Sequence, residues 1–302
     1  MGLWPDSPDV ATARFWMMDA VTREAATRAT ATRAATGRSY GSPAPTYPPP
    51  KRRRPLRTFL VVASSVLVGV AVVVLAVGLD ELDQRKPRIE IPEGVPPGPG
   101  APTPPIDING PGRTAAGLGE WAAPLSDALA ISPTALEAYG YAAAVMAATK
   151  PDCGIGWTTL AGIAAVESKH GTYRGSSVGE DGQVSPPIRG IPLDGSPGVA
   201  EIPDTDGGAM DGDATHDRAM GPLQFIPETW ARWGVDANGD GVVDPDNIDD
   251  AALTAARYLC ARGGDLTTAD GWTAALMAYN LSGEYLRDVR DRAAAYSVGV
   301  RR

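Results

Sequence analysis

Apolar and polar positions divide the 302-residue chain into unlike parts. Residues 1–50 show no sustained apolar period; residues 21–38 are largely Ala, Thr and Arg, and residues 42–50 are Pro-rich. Such a segment cannot bury enough apolar surface to order itself and reads as a disordered tail, 1–56, ending in a basic cluster. An uncharged run of 21 residues follows, from Phe59 to Leu79. At 1.5 Å per residue it spans about 30 Å, the thickness of a bilayer's hydrocarbon core. Lys51, Arg52, Arg53, Arg54 and Arg57 precede it, and Asp80, Glu81 and Asp83 follow it. That asymmetry predicts a transmembrane helix over 57–79, with the tail in the cytoplasm and the rest of the chain outside. A cleaved signal peptide, with Ala76-Val77-Gly78 as its small-x-small site, is the alternative; its apolar region is ordinarily shorter. Residues 80–113 are rich in Pro and Gly and read as a semi-extended linker whose use is reach.

From residue 114 to 302 the pattern turns helical. Ser132-Pro133 is an N-cap and first-turn pair, and Leu136, Tyr139, Ala143 and Met146 continue the stripe to Lys150-Pro151. Trp157 to Gly171 is an apolar helix closed by glycine. Further helices are expected at Pro227–Trp233, at Asp250–Arg262 with Gly263-Gly264 as a stop, at Asp270–Asn280 with Asp270 as N-cap, and at Glu284–Tyr296. Between them, Thr172 to Asp217 is a long irregular stretch dense in Gly, Pro and Asp. No strong strand pattern and no repeat is present. The expected fold class is mainly α with long loops.

One carboxylate stands out. Glu167 follows Leu160, Ile163 and Ala164 by seven, four and three residues, so a 3.6-residue period places it on their face. Desolvation and the negative end of the helix dipole both disfavour its ionised form. A carboxyl held protonated near neutral pH suits a general acid. The competing reading is a rim Glu turned to water at a frayed helix end.

Charge and cysteines narrow the classes. The formal charge is −9, and 13 Asp or Glu stand against two Arg between Glu201 and Asp250. A nucleic-acid partner gripped through a basic patch is excluded. The two cysteines, Cys153 and Cys260, fall outside the membrane on this topology, where an even pair most simply forms a disulfide. A nucleophilic cysteine served by His170 or His216 is the alternative.

Three short motifs occur in order: Glu167-Ser168 at a helix end, Gly221-Pro222-Leu223-Gln224-Phe225 after the long loop, and Ala278-Tyr279-Asn280 at another helix end. In this order they resemble lytic murein transglycosylases, whose catalytic domains are lysozyme-like. G-P-L-Q-F-I-P-E-T-W, V-D-A-N-G-D-G-V-V-D-P-D-N-I-D-D-A-A and A-R-Y-L extend the resemblance toward the membrane-bound lytic transglycosylase B family, over about residues 115–297. The resemblance implies peptidoglycan glycan strands as substrate, cut between N-acetylmuramic acid and N-acetylglucosamine with 1,6-anhydro ring closure, Glu167 serving as acid and then base. Met220, Gln224, Tyr258, Tyr279 and Asn280 are its implied substrate-binding residues. Each has a plainer reading: a helix-edge amide for Gln224, core for Tyr279, a structural ring for Tyr258. Ser168 is expected to orient the helix end rather than react.

Asp236-Ala237-Asn238-Gly239-Asp240-Gly241 opens an EF-hand-like loop, with the Val242 carbonyl at position 7. Position 12 is Asn247 rather than Glu; the resemblance places the closing acid at Asp250. A structural Ca²⁺ is the expectation, an Asx-Gly turn with solvated carboxylates the alternative. The chemistry itself calls for no cofactor. The rival functions are a lysozyme-type hydrolase and a non-catalytic Ca²⁺-dependent wall-binding domain.

Overall fold

The computed structural model describes residues 94–302. The expected tail, the transmembrane helix and the first part of the linker lie outside the described residues. Among the described residues, no helix is long and apolar enough to cross a membrane.

Seven α-helices carry the described part: α1 Gly119–Leu129, α2 Pro133–Thr149, α3 Trp157–Ser168, α4 Pro227–Trp233, α5 Ile248–Gly263, α6 Ala269–Tyr279 and α7 Gly283–Ser297. Two two-residue strands, β1 Ser177–Val178 and β2 Val184–Ser185, pair antiparallel in the long loop. α2 begins where expected, with Ser132 Oγ accepting from Ala135 N–H at 3.2 Å. α5 starts at Ile248 because Asn247 caps it, its Oδ1 taking the Asp249 N–H at 2.9 Å. α6 is capped by Thr268, not Asp270; the Thr268 hydroxyl accepts from Gly271 N–H at 3.1 Å, and Asp270 lies inside the first turn. α1 was not expected; Pro124 sits within it.

The core gathers around α3, which is buried on nearly every side, as a helix apolar all round must be. α3 packs chiefly on α7, α2 on α5, and α5 on α6. Gly162 permits the α3–α7 approach: a Cβ there would lie 2.8 Å from the Val289 carbonyl oxygen. The expected disulfide is present. Cys153 and Cys260 are bonded with Cα atoms 5.4 Å apart, tying the turn before α3 to the last turn of α5. No free cysteine remains, which overturns the nucleophilic-cysteine alternative.

The packed domain starts earlier than residue 114. Within the expected linker, the Gly98 carbonyl accepts from Thr158 Oγ1 at 2.6 Å, Ala101 from Trp157 Nε1 at 3.0 Å, and Ile108 from Tyr141 at 3.1 Å. Arg113 then bonds Asp249 through Nε at 2.7 Å and pairs with Glu137. This strap lies over the first turn of α3 and fixes it from outside.

Candidate active site

The last turn of α3 is irregular. Lys169 and His170 are both left-handed, with φ of 54° and 59°, and Gly171 follows at 79°. The helix therefore ends at Ser168, three residues before the glycine that marks its end in the sequence. The His170 N–H turns back to the Ala164 carbonyl at 2.9 Å. Ser168 Oγ accepts from Gly171 N–H at 2.7 Å and donates to the Pro222 carbonyl at 2.6 Å. This joins two motifs that lie 54 residues apart. Ser168 is committed to the backbone on both sides, as the sequence reading expects.

Glu167 is 4% exposed. Burial raises its carboxyl to about 7, and an interaction with the Tyr285 hydroxyl opposes part of the rise. No carboxylate contributes to the shift. Tyr279 and Tyr285 flank it: burial pushes both phenols well above their ordinary range, and the Glu167 charge pushes them further. Both hydroxyls stay protonated; that of Tyr285 is the one that interacts with the carboxyl as a donor, while that of Tyr279 is engaged elsewhere. The two rings stack, 8° from parallel with centroids 6.5 Å apart. Tyr285 Oη is buried with no regular hydrogen-bond partner among the described residues, so its interaction with Glu167 is a loose one. The sequence reading missed Tyr285. Its one signal was position, on the inward face of α7 at the Tyr285, Val289, Ala293, Tyr296 spacing.

The Gly221–Phe225 segment is a tight turn. Met220 and Phe225 bond each other through both backbone groups, at 2.8 and 3.1 Å. Gln224 is left-handed, φ 51°, and its Nε2 donates to the Gly221 carbonyl at 2.8 Å; the amide is half-buried. Tyr279 is half-buried and donates to the Leu223 carbonyl at 2.7 Å, which brings the end of α6 to the same turn. Phe225 packs on Tyr279, centroids 5.6 Å apart, and on Trp230 at 5.5 Å. Tyr258 lies edge-on to Tyr279 and donates to the Ala278 carbonyl at 2.8 Å. The structure thus brings Glu167, Gln224, Tyr258 and Tyr279 around one turn. Two expected contacts change role. Met220 is fully buried, so its side chain supports the turn from beneath and offers no surface. Asn280 is 6% exposed and accepts from Ser282 N–H at 3.1 Å, shaping the entry to α7.

The acidic loop is closed by its own backbone. Asp236 accepts from Gly239 and Gly241, at 2.7 and 2.9 Å. Asp250, fully buried, accepts from Ala237 at 2.7 Å and Asp244 at 2.9 Å. Burial raises Asp250 to about 6, and the Asp236 charge adds to the rise. Asp236, Asn238, Asp240, Asp250 and the Val242 carbonyl are oxygen donors, the chemistry of a hard cation. Among the described residues, the acidic triplet whose oxygens converge within 4.8 Å is Asp204, Asp206 and Asp217. Val242 is itself well exposed.

Residues 209–291 match the family model described as Transglycosylase SLT domain. The matched segment holds the Gly221–Phe225 turn, the acidic loop, α5, α6 and Tyr285, and stops short of Glu167. No curated protein and no solved structure matches the chain. Over that segment the chain is similar to transglycosylase domains that cleave peptidoglycan, and the match supports a lytic transglycosylase family without marking a branch within it.

Proposed function

We propose that the protein is a peptidoglycan lytic transglycosylase in which Glu167 acts as general acid and then as general base. The observation that carries this reading is a buried carboxyl at about 7 whose shift owes nothing to another acid. At neutral pH such a group is protonated in about half of the molecules, which suits proton transfer in both directions. In the first step Glu167 gives its proton to the glycosidic oxygen, and the bond from that oxygen to the muramyl anomeric carbon breaks. The ionised Glu167 then takes the proton of the muramyl C6 hydroxyl as its oxygen bonds to the anomeric carbon. The carboxyl ends protonated, and no water is consumed. A two-carboxylate glycosidase needs a second acid at roughly 5–9 Å, and Glu167 feels none. Tyr285 donates toward the carboxylate while it carries charge.

Gln224 and Tyr279, both half-buried, are the groups we assign to sugar contact, an amide and an aromatic ring being suited to hydroxyl and N-acetyl groups; Tyr258, buried at 9% exposure, supports the Tyr279 ring edge-on. The disulfide supports an exported domain, and we place it on the wall side of a membrane helix at 57–79. A Ca²⁺ at Asp236, Asn238, Asp240, Val242 and Asp250 would order the acidic loop and take no part in the chemistry. Calcium raising the melting temperature of the chelator-treated protein would support that site; no response would remove it.

The deciding experiment is mass spectrometry of digested peptidoglycan. Release of 1,6-anhydro-muramyl products by the wild type, and none by Glu167→Gln, is the expected result. Products heavier by one water would make the protein a hydrolase. Binding without release would make it a wall-binding domain.

A further inference from the structure

We infer that His170 is a positioning residue for Glu167, clamping the last turn of α3 between Tyr139 on α2 and Tyr296 on α7. The inference deepens the proposed function and rests on it for its catalytic consequence.

The geometry is specific. His170 Nδ1 lies 3.3 Å from the Tyr139 hydroxyl, and Nε2 lies 3.1 Å from the Tyr296 hydroxyl. Both ring nitrogens are thereby used, one as donor and one as acceptor. The ring is 9% exposed, and Tyr139 is wholly buried. His170 is three residues past Glu167, and its own N–H closes the turn on Ala164. The backbone there is strained, because two consecutive non-glycine residues are left-handed. Such strain persists only where the surroundings over-determine it, and it gathers at functional sites. The clamp supplies that determination. Without it, Lys169 and His170 relax toward ordinary helix, Glu167 turns with them, and water reaches its carboxyl.

The ring is held neutral. Burial, and the Arg292 charge on α7, lower His170 to about 3; Tyr139 and Tyr296 are the other titratable groups that face it, and both phenols are raised. Facing Glu167 are Tyr279 on α6 and Tyr285 on α7. The clamp therefore carries no charge over the working pH range and acts on Glu167 through position alone.

The test uses the exported domain from residue 94 with His170→Phe, His170→Asn and Tyr296→Phe. Phenylalanine keeps the ring and loses both bonds. Asparagine suits the left-handed backbone and keeps the position of Nδ1. Tyr296→Phe removes one bond and disturbs folding least. The Glu167 carboxyl is titrated by ¹³C NMR, a readout that needs no cleavage. The expected result is a midpoint of about 7 in the wild type that falls by about one unit or more in His170→Phe, with smaller falls in the other two. In wall digestion, kcat drops about tenfold or more with KM unchanged, and the alkaline limb moves acidward by the same interval. A midpoint that stays near 7 in His170→Phe and Tyr296→Phe, with melting temperature the sole change, overturns the clamp. If His170→Phe does not fold, Tyr296→Phe decides alone. A wild type that titrates near 7 but releases no saccharide would fail the proposed function and leave the clamp standing.

Discussion

Ser168 Oγ donates to the Pro222 carbonyl at 2.6 Å, and this bond sets the catalytic helix end against the Gly221–Phe225 turn. Ser168 is 1% exposed, so a substrate does not reach it. Ser168→Ala strands the Pro222 carbonyl and the Gly171 N–H, at a cost of about 1–3 kcal/mol. The expected enzyme is weakened but active, because the reacting group is untouched. Activity falling to the Glu167→Gln baseline, with stability unchanged, would instead make the serine part of the chemistry. Wall-digestion rates and urea midpoints on the same preparations decide it.

Glu167 is held at a cost to stability. Its folded value, about 7, lies above the ordinary 4.5. A raised carboxyl contributes stability that is fully present below the unfolded value and is lost as pH rises through the folded one. Ionising it in place costs about 3 kcal/mol by pH 8. Glu167→Gln is therefore expected to be inactive yet more stable than wild type at pH 8, with the gap closing by pH 4.5. Denaturant unfolding of both proteins at the two pH values measures it. Equal stability at pH 8 would mean that the carboxyl is solvated.

The parts read correctly from sequence are those governed by neighbours along the chain. Ser132-Pro133 announces α2, Pro227 begins α4, and the Leu160, Ile163, Ala164 stripe places Glu167 inward. What escaped depends on partners far away. Tyr285 gains its place from a stack with Tyr279 and from a carboxyl more than 100 residues earlier, and no period encodes either. The end of α3 was set at Gly171, yet Lys169 and His170 leave the helix first. Tyr139 and Tyr296 hold them in a conformation that residue type disfavours. Residues 98–113 read as inert because an extended Pro/Gly chain has no period, although its carbonyls serve Thr158, Trp157 and Tyr141.

Arg113 makes that strap part of the domain. It pairs with Glu137 and with Asp249, and Asp249 is fully buried. Burial raises Asp249, and the Arg113 charge is the largest opposing influence. Removing one partner from a buried network leaves uncompensated charge, typically at about 3–5 kcal/mol. Arg113→Ala is expected to lose that much in denaturant unfolding at pH 7. A protein begun at residue 114 is expected to lose at least as much relative to one begun at 94. Equal midpoints for the two lengths would return the strap to the status of a free linker.

Gly221 provides the sharpest steric test. Its φ is 70°, and a Cβ there would lie 1.8 Å from the Pro245 carbonyl oxygen. That contact is to backbone, so no rotamer relieves it. Gly241 has a φ of 86° with nothing within 4 Å of its Cβ position, and it isolates the conformational part of the effect. Alanine at Gly241 costs about 1–2 kcal/mol for the left-handed backbone alone. Alanine at Gly221 carries the same cost and must also part the turn from the segment before α5. That shift moves the Met220–Phe225 pairing, and with it Gln224 and the Leu223 carbonyl that receives Tyr279. Gly221→Ala is expected to destabilise by at least about 2 kcal/mol more than Gly241→Ala and to abolish wall digestion, while Gly241→Ala digests at close to the wild-type rate. Comparable stability losses at the two glycines would show that the turn is free to move and does not fix the site.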